Sequence, residues 1–391
     1  MSLSARATWL FDSIGYNNKL LYMEPLLKAF VTQFPNTTLF TCETEAKISG
    51  TDYEVKKALP KLTFKIGHRT FSMPSPSAIF KLAHTRPDLI VINEFGLLSL
   101  YAVLYRLFKR HARVLLLVEN DPLYLKYYGV NRNNSVYDLF RRFIGRVADK
   151  ILCNNDKTVV YLTNHLGIEA YKIKSACYLT SSVAVAVKKR ADKKEKLTLL
   201  FVGQLIQRKG LKHLLNAINS LPQDQRARLQ LDIIGDGPDR KLLSDMIEQY
   251  GLNEVVRLHG SQPYESIGDF YGKADVFVLP TLGDYRALVG FEALSAGLSI
   301  IGSVFDGASS EIIEEGVNGF IVDPRDEVSL ANKIQVFLDH PELVEKFGKE
   351  SERIAKKYAV NVAASNLIEA AKECVADLKF GKKFLENCHR S

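Results

Sequence analysis

The sequence of 391 residues predicts an α/β protein built from two Rossmann-like domains, each with a doubly wound parallel sheet. Apolar, β-branched runs alternate with helical segments along the chain, which favours parallel strands covered by helices on both faces. A charged stretch without apolar periodicity, residues 188–196, is typical of an interdomain linker. The length also suits two domains of roughly 180 residues each.

Strands in the first half are predicted from short apolar runs, and helices from apolar residues at helical spacing. The predicted strands are 7–13, 37–42, 89–93, 114–119 and 150–154, and the predicted helices are 20–33, 77–84, 97–110 and 136–146.

The second half repeats this alternation of strand and helix. Its predicted strands are 197–203, 229–235, 255–259, 275–280 and 298–302. A helix is predicted over 287–296, since the segment has helical composition and ends at Gly297. The tail from 360 to 380 is rich in helix-forming residues.

Composition excludes several classes of protein. With 47% hydrophobic and 25% charged residues, the chain is typical of a soluble globular protein. The five cysteines include no close pair, so neither a disulfide framework nor a metal site is expected, and a reducing cytoplasm is the simplest setting. The longest lipid-like run, 97–105, is too short to cross a bilayer, and no secretory signal is predicted.

The charge is divided unevenly between the two halves. Residues 1–190 contain 27 Lys and Arg against 14 Asp and Glu, whereas residues 191–391 contain 25 against 30. Basic and bulky apolar residues alternate in 105–113 and 137–146, which favours an anionic membrane surface as a partner. The alternative is a solvated face on a packed helix. Nucleic acid is disfavoured, because no zinc finger or RNP motif accompanies the charge.

A phosphate-binding loop is predicted after the strand at 197–203. Gly203 ends the strand, and Arg208 and Lys209 stand just before Gly210 and a helical run. Two cations and a helix amino terminus aimed at one point suit a diphosphate. The alternative is an exposed basic pair at the start of a helix.

A second turn follows the strand at 229–235. The glycines of the Gly235-Asp-Gly-Pro turn permit close backbone approach. Contact with the nucleotide and a plain turn from strand to helix both remain open as interpretations.

Two carboxylates, Asp284 and Glu292, lie eight residues apart across a junction between a loop and a helix. Ligands of open α/β sheets gather at the carboxyl ends of strands. The backbone N–H groups that begin the helix, at Ala287, Leu288 and Val289, are therefore candidate donors to an anion. The alternatives are a turn-forming Asp284 and a solvated Glu292.

Candidate acceptor-side residues follow two strands of the first half. Gly15 lies in the loop after the first strand, and Glu119, Asn120 and Asp121 end the strand at 114–119. An unpaired carboxylate at the end of a core strand is costly to bury, which favours a role for these residues in a site.

The second half resembles the retaining glycosyltransferases of family 4, within glycosyltransferase group 1, which have the GT-B fold. Asp284 and Glu292 are similar to the E-x7-E motif of that family, and 201–210 is similar to its phosphate loop. The segments 233–238, 306–311 and 316–324 match further motifs in the same order. Three residues depart from the pattern: Gln204 replaces Arg, Asp284 replaces Glu and Glu119 replaces His.

The resemblance implies two domains that face a central cleft: an acceptor-binding domain at 1–187, a donor-binding domain at 197–359, and a helical tail at 360–391 that packs back on the first. It implies retaining transfer of a sugar from a UDP- or GDP-sugar to an acceptor hydroxyl, without metal or cofactor. Glu292 would bond the ribose, and Asp284 the donor sugar. Glu119 or Asp121 would assist as a base or sugar ligand.

The basic first domain suggests that the acceptor is a glycan or a lipid-linked glycan at the cytoplasmic face of the cell membrane, where the protein would be peripheral. Two alternatives remain. A nucleotide-sugar epimerase has the same fold, and the three departures suggest a non-catalytic subunit that binds a sugar nucleotide.

Overall fold

The computed structural model describes residues 4–11, 19–41, 55–56, 61–66, 69–119, 135–177 and 196–388. Residues 188–195 of the predicted linker and the candidate residues Gly15, Asn120 and Asp121 lie outside these ranges. The chain forms two compact units. Among the described residues, the first unit comprises those up to 177 together with 360–388, and the second comprises 196–359.

The first unit contains a parallel sheet of seven strands in the order β3-β2-β1-β6-β7-β8-β9, beside a separate antiparallel hairpin of β4 and β5. Its strands are β1 (Ala7–Phe11), β2 (Thr37–Thr41), β3 (Val55–Lys56), β4 (Lys61–Ile66), β5 (Arg69–Pro74), β6 (Leu89–Asn93), β7 (Arg113–Val118), β8 (Lys150–Cys153) and β9 (Ile173–Ser175). Its helices before residue 177 are α1 (Lys19–Gln33), α2 (Ala78–Thr85), α3 (Leu97–Phe108), α4 (Ser135–Val147) and α5 (Asp156–Val160).

The second unit contains a parallel sheet of six strands in the order β12-β11-β10-β13-β14-β15. Its strands are β10 (Leu197–Val202), β11 (Leu229–Ile234), β12 (Val256–Gly260), β13 (Val276–Val278), β14 (Ser299–Ser303) and β15 (Gly319–Val322). Its helices are α6 (Leu211–Ser220), α7 (Gln223–Ala227), α8 (Arg240–Gln249), α9 (Tyr264–Lys273), α10 (Leu288–Ser295), α11 (Ser309–Ile312), α12 (Glu327–Asp339) and α13 (Glu342–Ala355).

Both sheets are doubly wound, which confirms the predicted fold class. Numbered within its own unit, each sheet has the strand order 3-2-1-4-5-6, and the first sheet adds a seventh strand. The order reverses between β1 and β6 in the first unit and between β10 and β13 in the second. Ligands of such sheets bind outside the carboxyl ends of the strands at this reversal. The second unit is therefore expected to bind its ligand at the loops that follow β10 and β13.

Burial follows the strand sequences. The central strands β6, β7 and β10 are buried along almost their whole length, as parallel strands covered on both faces require. Edge elements were harder to predict. The strands β3, β9 and β15 and the β4–β5 hairpin were not anticipated, because they are short or lack a continuous apolar run.

The last helix, α14 (Val360–Cys388), belongs to the first unit. It packs against α1, β7 and β8, and its small and apolar face is buried. Lys174 pairs with Glu369 at 2.8 Å and with Glu373 at 3.1 Å. Of the helices in the described ranges, none is both long and apolar enough to span a bilayer.

Candidate functional site

The loops after β10 and β13 are fastened to each other at the reversal of the second sheet. Gly210, at φ +71°, lies so close to Pro280 that a Cβ atom there would be 1.8 Å from the Pro280 carbonyl oxygen. The Leu282 N–H and the Thr281 hydroxyl both donate to the Arg208 carbonyl oxygen, at 2.8 and 3.1 Å. Only glycine fits this approach, so the phosphate loop after β10 packs directly against the loop between β13 and α10, which carries Asp284 and is called the carboxylate loop below.

The structure brings together three residues that the sequence predicted separately. The Lys209 ammonium donates to Asp284 Oδ2, and Arg208 Nη1 lies 3.2 Å from the same oxygen. Arg208 Nη1 also donates to the Gly283 carbonyl oxygen at 2.6 Å. The two cations therefore flank one carboxylate, which neutralises part of their charge. Sequence reasoning missed this ion pair, because 75 residues separate Lys209 from Asp284.

The start of α10 differs from the prediction at one residue. The Ala287 N–H donates to Asp306 Oδ1 at 3.1 Å, so it is engaged within the protein instead of facing an anion. Leu288 and Val289 are the first two residues of α10, so their N–H groups have no acceptor within the helix. The candidate donors are thus reduced from three to two.

Glu292 is buried inside α10, with 2% of its surface exposed. The hydroxyl of Tyr271, on α9, donates to Glu292 Oε2 at 2.7 Å. The solvated-residue alternative is therefore wrong, because burial of a carboxylate requires such partners. Sequence reasoning missed Tyr271, whose position on the preceding helix gave no motif.

Gly203 and Gly235 lie against each other. A Cβ atom at Gly235, where φ is +131°, would approach the Gly203 carbonyl oxygen to 1.9 Å. A Cβ atom at Gly237 would approach the Leu205 carbonyl oxygen to 2.3 Å. The glycines of this turn are therefore needed for its packing against the phosphate loop, which favours the structural interpretation. Gln204, which departs from the family pattern, is exposed in that loop.

A buried ion pair lies beside the site and was not predicted. Arg286 Nη2 is 3.2 Å from Glu311 Oε2, and the guanidinium carbon lies 4.1 Å from the centre of the Phe291 ring. The Tyr358 hydroxyl donates to the Glu311 carbonyl oxygen at 2.8 Å. Glu311 is the last residue of the 306–311 segment, which resembles a motif of the family. The sequence therefore indicated the motif but not the ion pair that Glu311 forms with Arg286.

In the first unit, the carboxyl ends of β6 and β7 bring two acidic residues together. The Glu119 N–H donates to Glu94 Oε1 at 2.6 Å, and Glu119 itself is buried. Glu94 has φ +61°, a left-handed conformation that is uncommon for a residue other than glycine. Such strain clusters at functional sites, so Glu94 joins Glu119 as a candidate. Among the residues that the structure describes, no group of His, Cys, Asp and Glu is arranged to hold a metal ion.

The basic and apolar stretches of α3 and α4 separate into inward and outward residues. Three arginines turn inward: Arg106 and Arg113 bind Asp149, and Arg141 is buried beside the Tyr137 ring. An outward apolar stripe is left on α4, and Phe108 ends α3 with 80% of its surface exposed. The stripe consists of Val136, Leu139 and Phe143, 73%, 63% and 39% exposed. Exposed basic residues lie at Lys109, Arg110 and Arg146.

Structural comparison identifies the fold as GT-B. The structure of Anabaena HepE in complex with UDP superposes with a TM-score of 0.72, covering 94% of this chain and 100% of that one. The two sequences are 14% identical, so the likeness concerns the fold.

Sequence comparison identifies the family of the second unit. Residues 184–354 match the model of the glycosyl transferases group 1. The match covers the segment that carries the motifs and confirms their resemblance to this family.

Named relatives share the same part of the chain. A proposed colanic acid biosynthesis glycosyltransferase of Salmonella typhimurium, WcaL, is 28% identical over 184 residues, 44% of this chain and 45% of that protein. The alpha-D-kanosaminyltransferase of Streptomyces kanamyceticus is 26% identical over 232 residues, 57% of this chain and 60% of that protein. The chain spans about half the length of these curated relatives.

Proposed function

We propose that the protein is a retaining hexosyltransferase that moves a sugar from a UDP- or GDP-sugar to an acceptor hydroxyl in polysaccharide or glycan biosynthesis. One observation carries the proposal: Arg208, Lys209 and Asp284 meet at the reversal of the second sheet, beside the amino terminus of α10. Cations beside a helix amino terminus suit a diphosphate, and a carboxylate suits adjacent sugar hydroxyls. UDP in the HepE complex supports the donor class.

In this mechanism the protein stabilises the diphosphate as negative charge develops on it. Lys209 and Arg208 would turn from Asp284 to the phosphate oxygens, and the Leu288 and Val289 N–H groups would add the helix dipole. Asp284, released from the cations, would accept hydrogen bonds from hydroxyls of the sugar. The departing phosphate oxygen would take the acceptor proton on the same face, which gives retention without a metal ion or a side-chain nucleophile.

Nucleotide affinity tests the role of the two cations. Replacement of both, Arg208→Ala with Lys209→Ala, is expected to weaken the binding of UDP or GDP, since each charge-assisted contact contributes about 1.5 to 3 kcal/mol. Titration calorimetry of wild type against the double variant measures this effect. Lys241→Ala is a matched control, because Lys241 is exposed on α8 and pairs with Asp245. Equal affinity of the double variant and wild type would overturn the assignment.

We also propose that the acceptor is presented at an anionic membrane surface, which the first unit meets through α3 and α4. The outward apolar stripe of α4, with Phe108 and the exposed basic residues near it, supports this proposal. Apolar side chains enter the boundary between headgroups and acyl chains while basic residues meet the anionic lipid. A lipid-linked glycan would be held at the same surface, so docking would bring enzyme and acceptor together.

A further inference from the structure

A buried carboxylate that the proposed mechanism does not use lies next to the carboxylate loop. Asp306 follows β14 and is 2% exposed. Its Oδ1 accepts the Ala287 N–H at 3.1 Å, and its Oδ2 accepts the Ser309 hydroxyl at 3.0 Å. The carboxylate therefore connects the start of α10 to the start of α11.

The backbone around Asp306 connects the same two loops at a second point. The Asp284 N–H donates to the Phe305 carbonyl oxygen at 3.0 Å, and the Gly307 N–H donates to the Asp284 carbonyl oxygen at 3.1 Å. Asp284 and Asp306 thus form an isolated parallel bridge outside the named strands. The segment from Asp284 to Ala287 is fastened at one end by this bridge and at the other by the Asp306 carboxylate.

We propose that Asp306 is a positioning residue, which holds the Asp284 loop and the first N–H groups of α10 in the geometry that binds the donor diphosphate. The inference rests on the proposed function of that site. Asp306 acts through its neighbours: its bond to Ala287 fixes the residue that directly precedes the Leu288 and Val289 N–H groups. If these N–H groups were displaced, they would no longer point at the phosphate oxygens.

Burial and the neighbouring charge of Asp284 favour an Asp306 carboxyl that changes its ionisation near neutral pH. Asp284 faces it from the β13–α10 loop together with the cations Lys209 and Arg208, and the Arg286–Glu311 pair lies alongside. Burial, and then the charge of Asp284, raise the pKa of Asp306 to about 7. Because the folded pKa is above the ordinary value of 3.8, the stability that this group contributes is present below pH 4 and is lost as the pH rises through 7.

Hydrogen exchange of the backbone amides in the full chain tests whether Asp306 anchors the start of α10, without any ligand. Asp306→Ala is expected to speed hydrogen exchange at Ala287, whose N–H loses its acceptor, and at Gly290, whose N–H donates to the Ala287 carbonyl oxygen, by about tenfold or more. Asp306→Asn keeps an acceptor for the Ala287 N–H and should exchange like wild type. Asp323→Ala, an aspartate outside the site that pairs with Arg325, is the matched control. Wild-type exchange in Asp306→Ala would overturn the proposal.

A second variant keeps the test decisive if Asp306→Ala does not fold. Ala287→Pro removes the donated N–H, and the backbone at Ala287, with φ −69°, already suits proline. It should speed exchange at Gly290, whose N–H donates to the carbonyl oxygen of residue 287, as Asp306→Ala does. Wild-type exchange there would contradict the anchor.

Two further measurements separate this inference from the proposed function. Asp306→Asn should melt above wild type at pH 8 and converge with it near pH 4, and a pH-independent difference would overturn the assigned ionisation. In titrations with UDP and GDP, Asp306→Ala should lose about tenfold or more in affinity, and Asp306→Asn should keep most of it. Equal affinity in Asp306→Ala would overturn positioning. A wild-type protein that binds neither nucleotide would overturn the proposed function, while exchange still decides the anchor.

Discussion

At the scale of single residues, Asp284 has two competing sets of partners. Its carboxylate binds Lys209 and lies 3.2 Å from Arg208, the cations proposed to receive the diphosphate. In the proposed mechanism, donor binding therefore breaks an ion pair that is largely buried. The aspartate, one methylene shorter than the glutamate of the family pattern, reaches these cations from a loop held by the β14–α11 segment.

Removal of the Asp284 charge is expected to separate nucleotide binding from sugar transfer. Asp284→Asn should bind UDP or GDP more tightly, by about 1 kcal/mol or roughly fivefold, because the two cations are no longer neutralised. Sugar transfer should fall, since a neutral amide is a weaker acceptor for hydroxyls. Calorimetry and product assays on one preparation measure both effects, with Asp323→Asn as the control. Weaker nucleotide binding would show that Asp284 supports the diphosphate site instead of competing for it.

The residue types of the site could be predicted from the sequence, but their partners could not. Arg208, Lys209 and Asp284 lie in loops that follow strands, and Glu292 lies in the helix after one of these loops, where local pattern points to a ligand. The hydroxyl that meets Glu292 comes from a residue 21 positions earlier, on a helix without a motif. Such pairs depend on how helices pack on the sheet, which local periodicity does not encode.

At the scale of elements, α4 has two unlike faces. Its inward face carries Arg141 and Ile144, and its outward face carries Val136, Leu139 and Phe143. Basic residues along the whole stretch were predicted to contact an anionic membrane, whereas Arg141 is buried inside the fold. The sequence predicted the helix, while the separation of its faces required the structure.

Membrane docking through α4 is expected to depend on Leu139. Leu139→Ser should reduce flotation with anionic liposomes, because burial of a leucine side chain contributes about 1.5 to 3 kcal/mol. Leu242→Ser is a matched control, since Leu242 is 51% exposed on α8 of the second unit. Binding of wild type should weaken as salt rises. Equal recovery of Leu139→Ser and wild type would contradict docking through this face.

At the scale of the whole molecule, the same strand order occurs twice in one chain. The fold class and the central strands could be predicted because buried parallel strands are continuous apolar runs. The edge strands β3 and β9 could not, since they are two and three residues long and β9 is only partly covered. In the sequence, the start of the last helix, directly after the second unit, is marked only by a rise in helix-forming residues.

The last helix is expected to stabilise the first unit. Leu367 is fully buried on α14, so Leu367→Ala should lower the free energy of unfolding by about 2 to 5 kcal/mol. Ser365→Ala, at an exposed position on the same helix, should change stability by less than about 0.5 kcal/mol. Denaturant unfolding measures both, read from Trp9 fluorescence, because this tryptophan is buried in β1. An unchanged tryptophan transition in Leu367→Ala would contradict a stabilising role for α14.

The position of α14 also fixes an order of events during synthesis. The second unit is continuous among its described residues, so all of its strands and helices are present once residue 359 has left the ribosome. The first unit lacks the helix that covers α1, β7 and β8 until about 30 residues later, although its sheet was made first. Domains generally fold as units during translation. The second unit, which is translated later, is therefore the first to be complete. The apolar surface of the first unit's sheet stays uncovered until α14 has been made.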